Sequence, residues 1–160
     1  MDEIPTCPEV AERHILLAVD ASEASRRAVA FAAELFGAEG GHRFTLLHVV
    51  QRPAEAALGG EEEAAAWTEA RAAEAEALLE GLRRLLVARG IAAERVSVAV
   101  EVIEVATVAD AILAARGRLG ACCIVVGRRP LSRQEEFLYG STSSRLLHEA
   151  HGCAVLAVHA

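Results

Sequence analysis

The stretch HILLAVDASEASRRAVAFAAELF, residues 14–36, decides the fold class. His14 to Val19 is a short, continuous, largely apolar run, which suits a strand buried on both faces of a parallel sheet rather than one with a wetted face. It ends at Asp20. Ala21-Ser22-Glu23-Ala24-Ser25 then offers serine as a helix N-cap, and Ala28, Val29, Ala32, Leu35 and Phe36 recur at helical spacing until Gly37 or Gly40-Gly41 stops the helix. This reads as strand, tight turn, helix.

The same alternation continues along the chain. Phe44 to Val50 is a second strand, and Gln51 to Gly60, with Pro53 and two glycines, is a loop. Glu61 to Arg89 is a long helix: its acidic start and basic end complement the macrodipole, Gly90 stops it, and Leu78, Leu82, Leu85 and Leu86 form its buried stripe. Val96 to Ile103 is a third strand, Val108 to Arg116 a third helix, and Cys122 to Val126 a fourth strand closed by Gly127. Ser141 to Glu149 and Ala154 to His159 supply the last helix and strand. Five strands alternating with four helices imply a three-layer, doubly wound parallel α/β sheet, because right-handed crossovers place helices on both faces. Ligands of such sheets lie beyond the carboxyl ends of the strands, where the strand order switches. Here those ends are Asp20, Val49-Val50, the turn at 104–107 and the loop after Gly127.

Composition narrows the function. With 160 residues and 53% hydrophobic content, the chain has material for one domain, residues 13–160, behind a tail of residues 1–12. A net charge of -7 and an aromatic content of 4% argue against nucleic acid, which asks for a basic field and stacking platforms. All 16 cationic residues are arginine, so chemistry built on a phosphate-loop, Schiff-base or kinase lysine is excluded. No stretch has the roughly 18 to 20 uninterrupted apolar residues of a membrane span, and the acidic, proline-broken N-terminus is unlike a secretory signal. A cytoplasmic location is expected. The cysteines form no paired ladder; Cys122 and Cys123 are expected to be buried, inert and on opposite faces of a strand, leaving Cys7 reactive. Aspartate is scarce, with only Asp2, Asp20 and Asp110 among 23 acidic residues, so Asp20 at a strand end draws notice.

Val125-Val126-Gly127-Arg128-Arg129-Pro130, followed after nine residues by Gly140-Ser141-Thr142-Ser143, resembles the nucleotide-binding signature of the universal stress protein family. Val19-Asp20-Ala21-Ser22, Leu47-His48-Val49 and the closing His148-Glu149-Ala150-His151-Gly152-Cys153 fit the same family in order. The chain departs from the signature at its second glycine, which is Pro130. The resemblance implies an adenine nucleotide alpha hydrolase-like sheet of strand order 3-2-1-4-5. It also implies dimerisation through the last strand, 154–159, and ATP, with or without Mg2+, held at the switch point. The function so implied is a regulatory ATP-binding module of the stress response without clear catalytic activity. The alternative is a structural or protein-interaction member of the family that binds no nucleotide, which Pro130 favours by removing an amide donor and fixing φ.

The residues that would hold the nucleotide are Asp20, Val49, Gly127, Arg128, Arg129, Gly140, Ser141, Thr142 and Ser143. Glycine turns and helix starts present amides to phosphate, guanidinium groups grip it two-pronged, Asp20 accepts from a ribose or base edge, and Val49 lies against the base. Plainer readings stand beside these: Gly127 ends a strand, Ser141 caps a helix, loop arginines are solvated and Asp20 steadies a turn. Arg133 and Arg145 are further candidate phosphate partners. His148, His151 and Cys153 fall short of a closed metal site. No nucleophile elbow, catalytic triad or paired carboxylate is present, and no residue is placed to activate water at a γ-phosphate.

Overall fold

The apolar run that opens the domain becomes β1 (Arg13–Ala18) at the centre of a five-stranded parallel sheet of order β3-β2-β1-β4-β5. The computed structural model describes residues 13–37, 41–129 and 142–159. After β1 come α1 (Glu23–Phe36), β2 (His42–Gln51), the single-turn α2 (Glu55–Leu58) and the long α3 (Glu61–Ala88). A 3-10 turn (Ala93–Arg95) leads into β3 (Val96–Ile103), then α4 (Val108–Leu119), β4 (Cys123–Arg128), α5 (Thr142–Glu149) and β5 (Ala154–His159). The fold class is the one read from the alternation of elements, and the strand order is the one the resemblance implies.

Burial on both faces explains why the strands read as unbroken apolar runs. Ile15 and Leu17 of β1, with Phe44 and Leu46 of β2, pack under Ala28, Val29 and Ala32 of α1 and Leu79, Leu82 and Leu86 of α3. Leu16 and Leu47, one residue out of phase, pack on the other face with Ile112 of α4 and Leu146 of α5. On that second face the buried polar strand residue among the described residues, Thr45, is satisfied by His14 Nε2 at 2.7 Å.

Several boundaries and burial assignments differ from the sequence expectation. The loop after β2 contains α2, which Gly59 ends in a left-handed conformation at φ 97°. α4 runs three residues past Arg116, until Gly120 takes φ 62° and Ala121 N–H donates back to the Arg116 carbonyl. β4 does not close at Gly127 but continues through it to Arg128, because β5 offers Val158 and His159 as partners for both residues. The stripe of α3 is Ala75, Leu79, Leu82 and Leu86, with Leu78 and Leu85 only partly buried beside it. Both sets have three- and four-residue intervals, so spacing alone does not choose between them, and the position of the sheet does. Leu35 of α1 is exposed at 55% because the helix rolls Phe36 rather than Leu35 toward the core. Cys122 precedes β4 instead of sitting in it, so it shares the first core with Cys123 rather than pointing to the opposite face. Cys122 is only half-buried, and Cys7 lies outside the described residues. Among the described residues no helix is long and apolar enough to cross a membrane, and no group of three or more His, Cys, Asp or Glu is arranged to hold a metal ion.

Candidate functional site

A cleft of about 290 Å³ opens at the carboxyl ends of β1, β2 and β4, where the strand order switches. The chain leaves β1 through Val19 and Asp20 and turns at once into α1. Ser22 caps that helix by accepting from Ser25 N–H at 3.2 Å. Asp20 ties the turn together: its Oδ1 accepts from Ser22 N–H at 2.9 Å and from the Ser25 hydroxyl at 2.8 Å, while its own N–H donates to Ser25 Oγ at 2.9 Å. Its second oxygen, Oδ2, faces the Arg129 guanidinium at 3.7 Å. Burial acts to raise the pKa of this carboxyl, but the hydrogen bonds from Ser22 and Ser25 and the Arg129 charge outweigh it and hold it below the ordinary aspartate value.

The opposite wall comes from α4 and α5. Val108 and Ile112 of α4 face Leu47 and Val49 of β2, which makes one side of the cleft apolar, and α5 brings Thr142 and Ser143 to the rim at the start of its helix. Partial positive charge at such a start suits an anion. A Thr107–Asp110 capping box fixes the start of α4: Asp110 N–H donates to Thr107 Oγ1, and Thr107 N–H donates to Asp110 Oδ2 at 3.0 Å. Arg145 of α5 grips the same box, donating to Thr107 Oγ1 at 2.6 Å and Asp110 Oδ1 at 3.2 Å, and also pairs with Glu149. Its guanidinium is therefore engaged in joining the two helices of this wall, not in reaching for a phosphate.

Of the residues expected from the sequence, Asp20, Val49, Gly127, Arg129, Thr142 and Ser143 line the cleft. Arg128 does not; it is the last residue of β4, in register with His159 of β5. Gly140, Ser141, Pro130 and Arg133 lie outside the described residues. Gly127 has a reason of its own to be glycine. The first turn of α1 crosses directly over it, and a Cβ there would stand 2.5 Å from the Ala24 carbonyl oxygen and 2.7 Å from Ser25 N.

Ser25 and His48 also line the cleft, and sequence reasoning did not single them out. Ser25 follows Asp20 by five residues, the spacing at which its hydroxyl returns to the carboxylate once the chain has turned into α1. His48 is a polar interruption in the otherwise apolar second half of FTLLHVV, and that interruption was the available signal. Its Nδ1 donates to the Val19 carbonyl at 2.7 Å, which fixes the ring against the end of β1.

A doubly wound sheet with a polar-and-apolar cleft at its switch point defines the class: a parallel α/β domain whose cleft lies where such sheets hold their ligands. Residues 12–159 match the model of the universal stress protein family, and the chain belongs to that family. A universal stress protein family member from Burkholderia pseudomallei superposes with a TM-score of 0.69 and 26% identity, covering 96% of this chain and 100% of the relative. A universal stress protein in complex with cAMP gives 0.67 and 19%, covering 94% and 99%. The Archaeoglobus fulgidus universal stress protein in complex with dAMP gives 0.64 and 18%, covering 93% and 99%. Comparison with curated proteins gave no significant match.

Proposed function

We propose that this chain is an adenine-nucleotide-binding regulatory module of the cytoplasmic stress response, acting as a homodimer and without catalytic turnover. The observation that carries the reading is the convergence on one cleft of the Asp20 carboxylate, the Arg129 guanidinium, the start of α5 at Thr142 and Ser143, and the apolar wall at Val49. The first recognises hydroxyl or amino edges, the next two suit phosphate, and the last suits the face of a base. The cAMP and dAMP complexes of two structural neighbours support the same ligand class. ATP, with or without Mg2+, is the proposed physiological form.

Absence of turnover is argued from the side chains at hand. Asp20 is the one carboxylate lining the cleft among the described residues, and a carboxylate whose pKa is depressed is a weak general base. Freshly purified protein, denatured and analysed by mass spectrometry, is expected to release ATP or AMP, and calorimetric titration of emptied protein is expected to show ATP binding. No co-purifying nucleotide and no heat at millimolar ATP would overturn the proposal and leave the interaction-module reading that Pro130 favours.

The dimer is proposed through β5. Leu156 and Val158 point to one core and Val155 and Ala157 to the other, yet all four remain only partly buried on an edge strand, a position that invites pairing. Light scattering at micromolar concentration is expected to give twice the chain mass of 16.9 kDa. A monomer would sink the assignment.

A further inference from the structure

A second cavity, of about 330 Å³, lies between the end of β2 and the upper half of α3, and it shares His48 and Val49 with the first. Successive residues of β2 face opposite sides of the sheet. Phe44 and Leu46 face α1 and α3 and Leu47 faces α4, so His48 faces the α3 side and Val49 the other. His48, pinned through Nδ1 to the Val19 carbonyl, is thus a fixed partition between the two cavities.

The far wall is one face of α3, with Trp67, Arg71, Glu74 and Leu78 recurring at helical spacing. Trp67 is the chain's single tryptophan, and it takes no part in either core, whose largest buried side chains are Phe44, leucines and isoleucines. Its ring lines the cavity instead, with the Arg71 guanidinium 5.4 Å from the ring centroid. Arg71 is itself steadied by a 2.6 Å hydrogen bond to Glu74. One arginine and one glutamate leave the cavity without a strong preference for an anion. An aromatic ring, apolar lining at Val50 and Leu78, and polar edges at Glu74 and His48 suit an uncharged planar heteroaromatic group.

We infer that this second cavity is a second base-binding subsite, so that the full site takes a dinucleotide: one nucleotide in the switch-point cleft and a second base against Trp67. The inference rests on the proposed nucleotide binding in the first cleft. Each cavity alone is at the small end of ligand sites, and the two flank the same strand end at His48 and Val49, so a ligand filling both would bend over the carboxyl end of β2. Phosphates linking the two halves stay on the Arg129 and Thr142 side, where the charge is.

The test compares ATP with diadenosine tetraphosphate on the full chain. Trp67 fluorescence is expected to change on adding the dinucleotide and much less with ATP. By calorimetry the dinucleotide is expected to bind roughly 10-fold more tightly than ATP, the scale of one stacked base. Trp67→Ala should bring the dinucleotide down to the affinity of ATP while leaving ATP itself unchanged, and Trp67→Phe should keep most of the difference. Equal affinity and equal fluorescence response for the two ligands would overturn the inference alone. So would loss of ATP affinity in Trp67→Ala, which would put the first base in this cavity. Binding of neither ligand would overturn the nucleotide reading along with it.

Discussion

Asp20→Ala is expected to weaken adenine-nucleotide binding by roughly one to two powers of ten, the cost of losing an accepted hydrogen bond to a charged group. The structure adds a second consequence. Oδ1 holds the β1–α1 turn through Ser22 and Ser25, so the same substitution removes two turn hydrogen bonds and should lower stability by about 1 kcal/mol. Asp20→Asn separates the two roles. Its side-chain carbonyl can still hold the turn, while an amide replaces the Oδ2 acceptor that faces the cleft. The asparagine variant should therefore unfold close to the wild-type temperature and still bind nucleotide weakly. Wild-type affinity in Asp20→Asn would show that Asp20 is a turn residue only. The depressed pKa sets the pH dependence. Because the folded-state value lies below the ordinary 3.8, the carboxylate's contribution to stability is complete above that pH and is lost as pH falls through the folded value. Urea unfolding of wild type and Asp20→Ala at neutral and acidic pH should show the difference between them shrinking only at the acid end.

Gly127→Ala is expected to be the most damaging single-methyl substitution near the cleft. The added carbon would meet the backbone of Ala24 and Ser25, not the tip of a flexible side chain, so α1 must move away from β4. Overpacking of this kind costs typically 1–3 kcal/mol, and a backbone clash belongs at about 3. For a chain of this length that corresponds to a fall in Tm of roughly 6–12 °C. Nucleotide affinity should fall with it, because the displaced turn carries Ser25, which orients Asp20. Thermal unfolding decides between this and the alternative that Gly127 serves as an amide donor to phosphate. Alanine keeps the N–H, so a variant with unchanged Tm would show that the close approach of α1 is not what requires glycine here.

The alternation of apolar runs, caps and stops carried the fold because each is a local matter. A strand buried on both faces must be apolar throughout, a helix must be capped and ended, and β3 and β5 fall at Val96–Ile103 and Ala154–His159, the limits legible in the chain. Asp20, Val49, Gly127, Arg129, Thr142 and Ser143 were legible as a group because each stands at a strand end or a helix start, and a doubly wound sheet gathers those at one edge. What the sequence did not determine is which way a side chain turns once elements meet. Leu79 rather than Leu78 is fully buried because the sheet lies on that side of α3, and Arg145 is drawn to the Thr107–Asp110 box because α5 docks beside α4. Arg128 continues β4 instead of entering the cleft because β5 pairs with it. The glycine at 127 follows from the crossing of α1 over β4, a contact between segments about a hundred residues apart that no local spacing records. The sequence by itself determined where each element runs and which of its ends carry polar chemistry, since propensity, capping and periodicity act within a few residues. Only the tertiary structure decided which of those groups share a cleft and which are spent holding it together, because that choice is made by packing between distant elements.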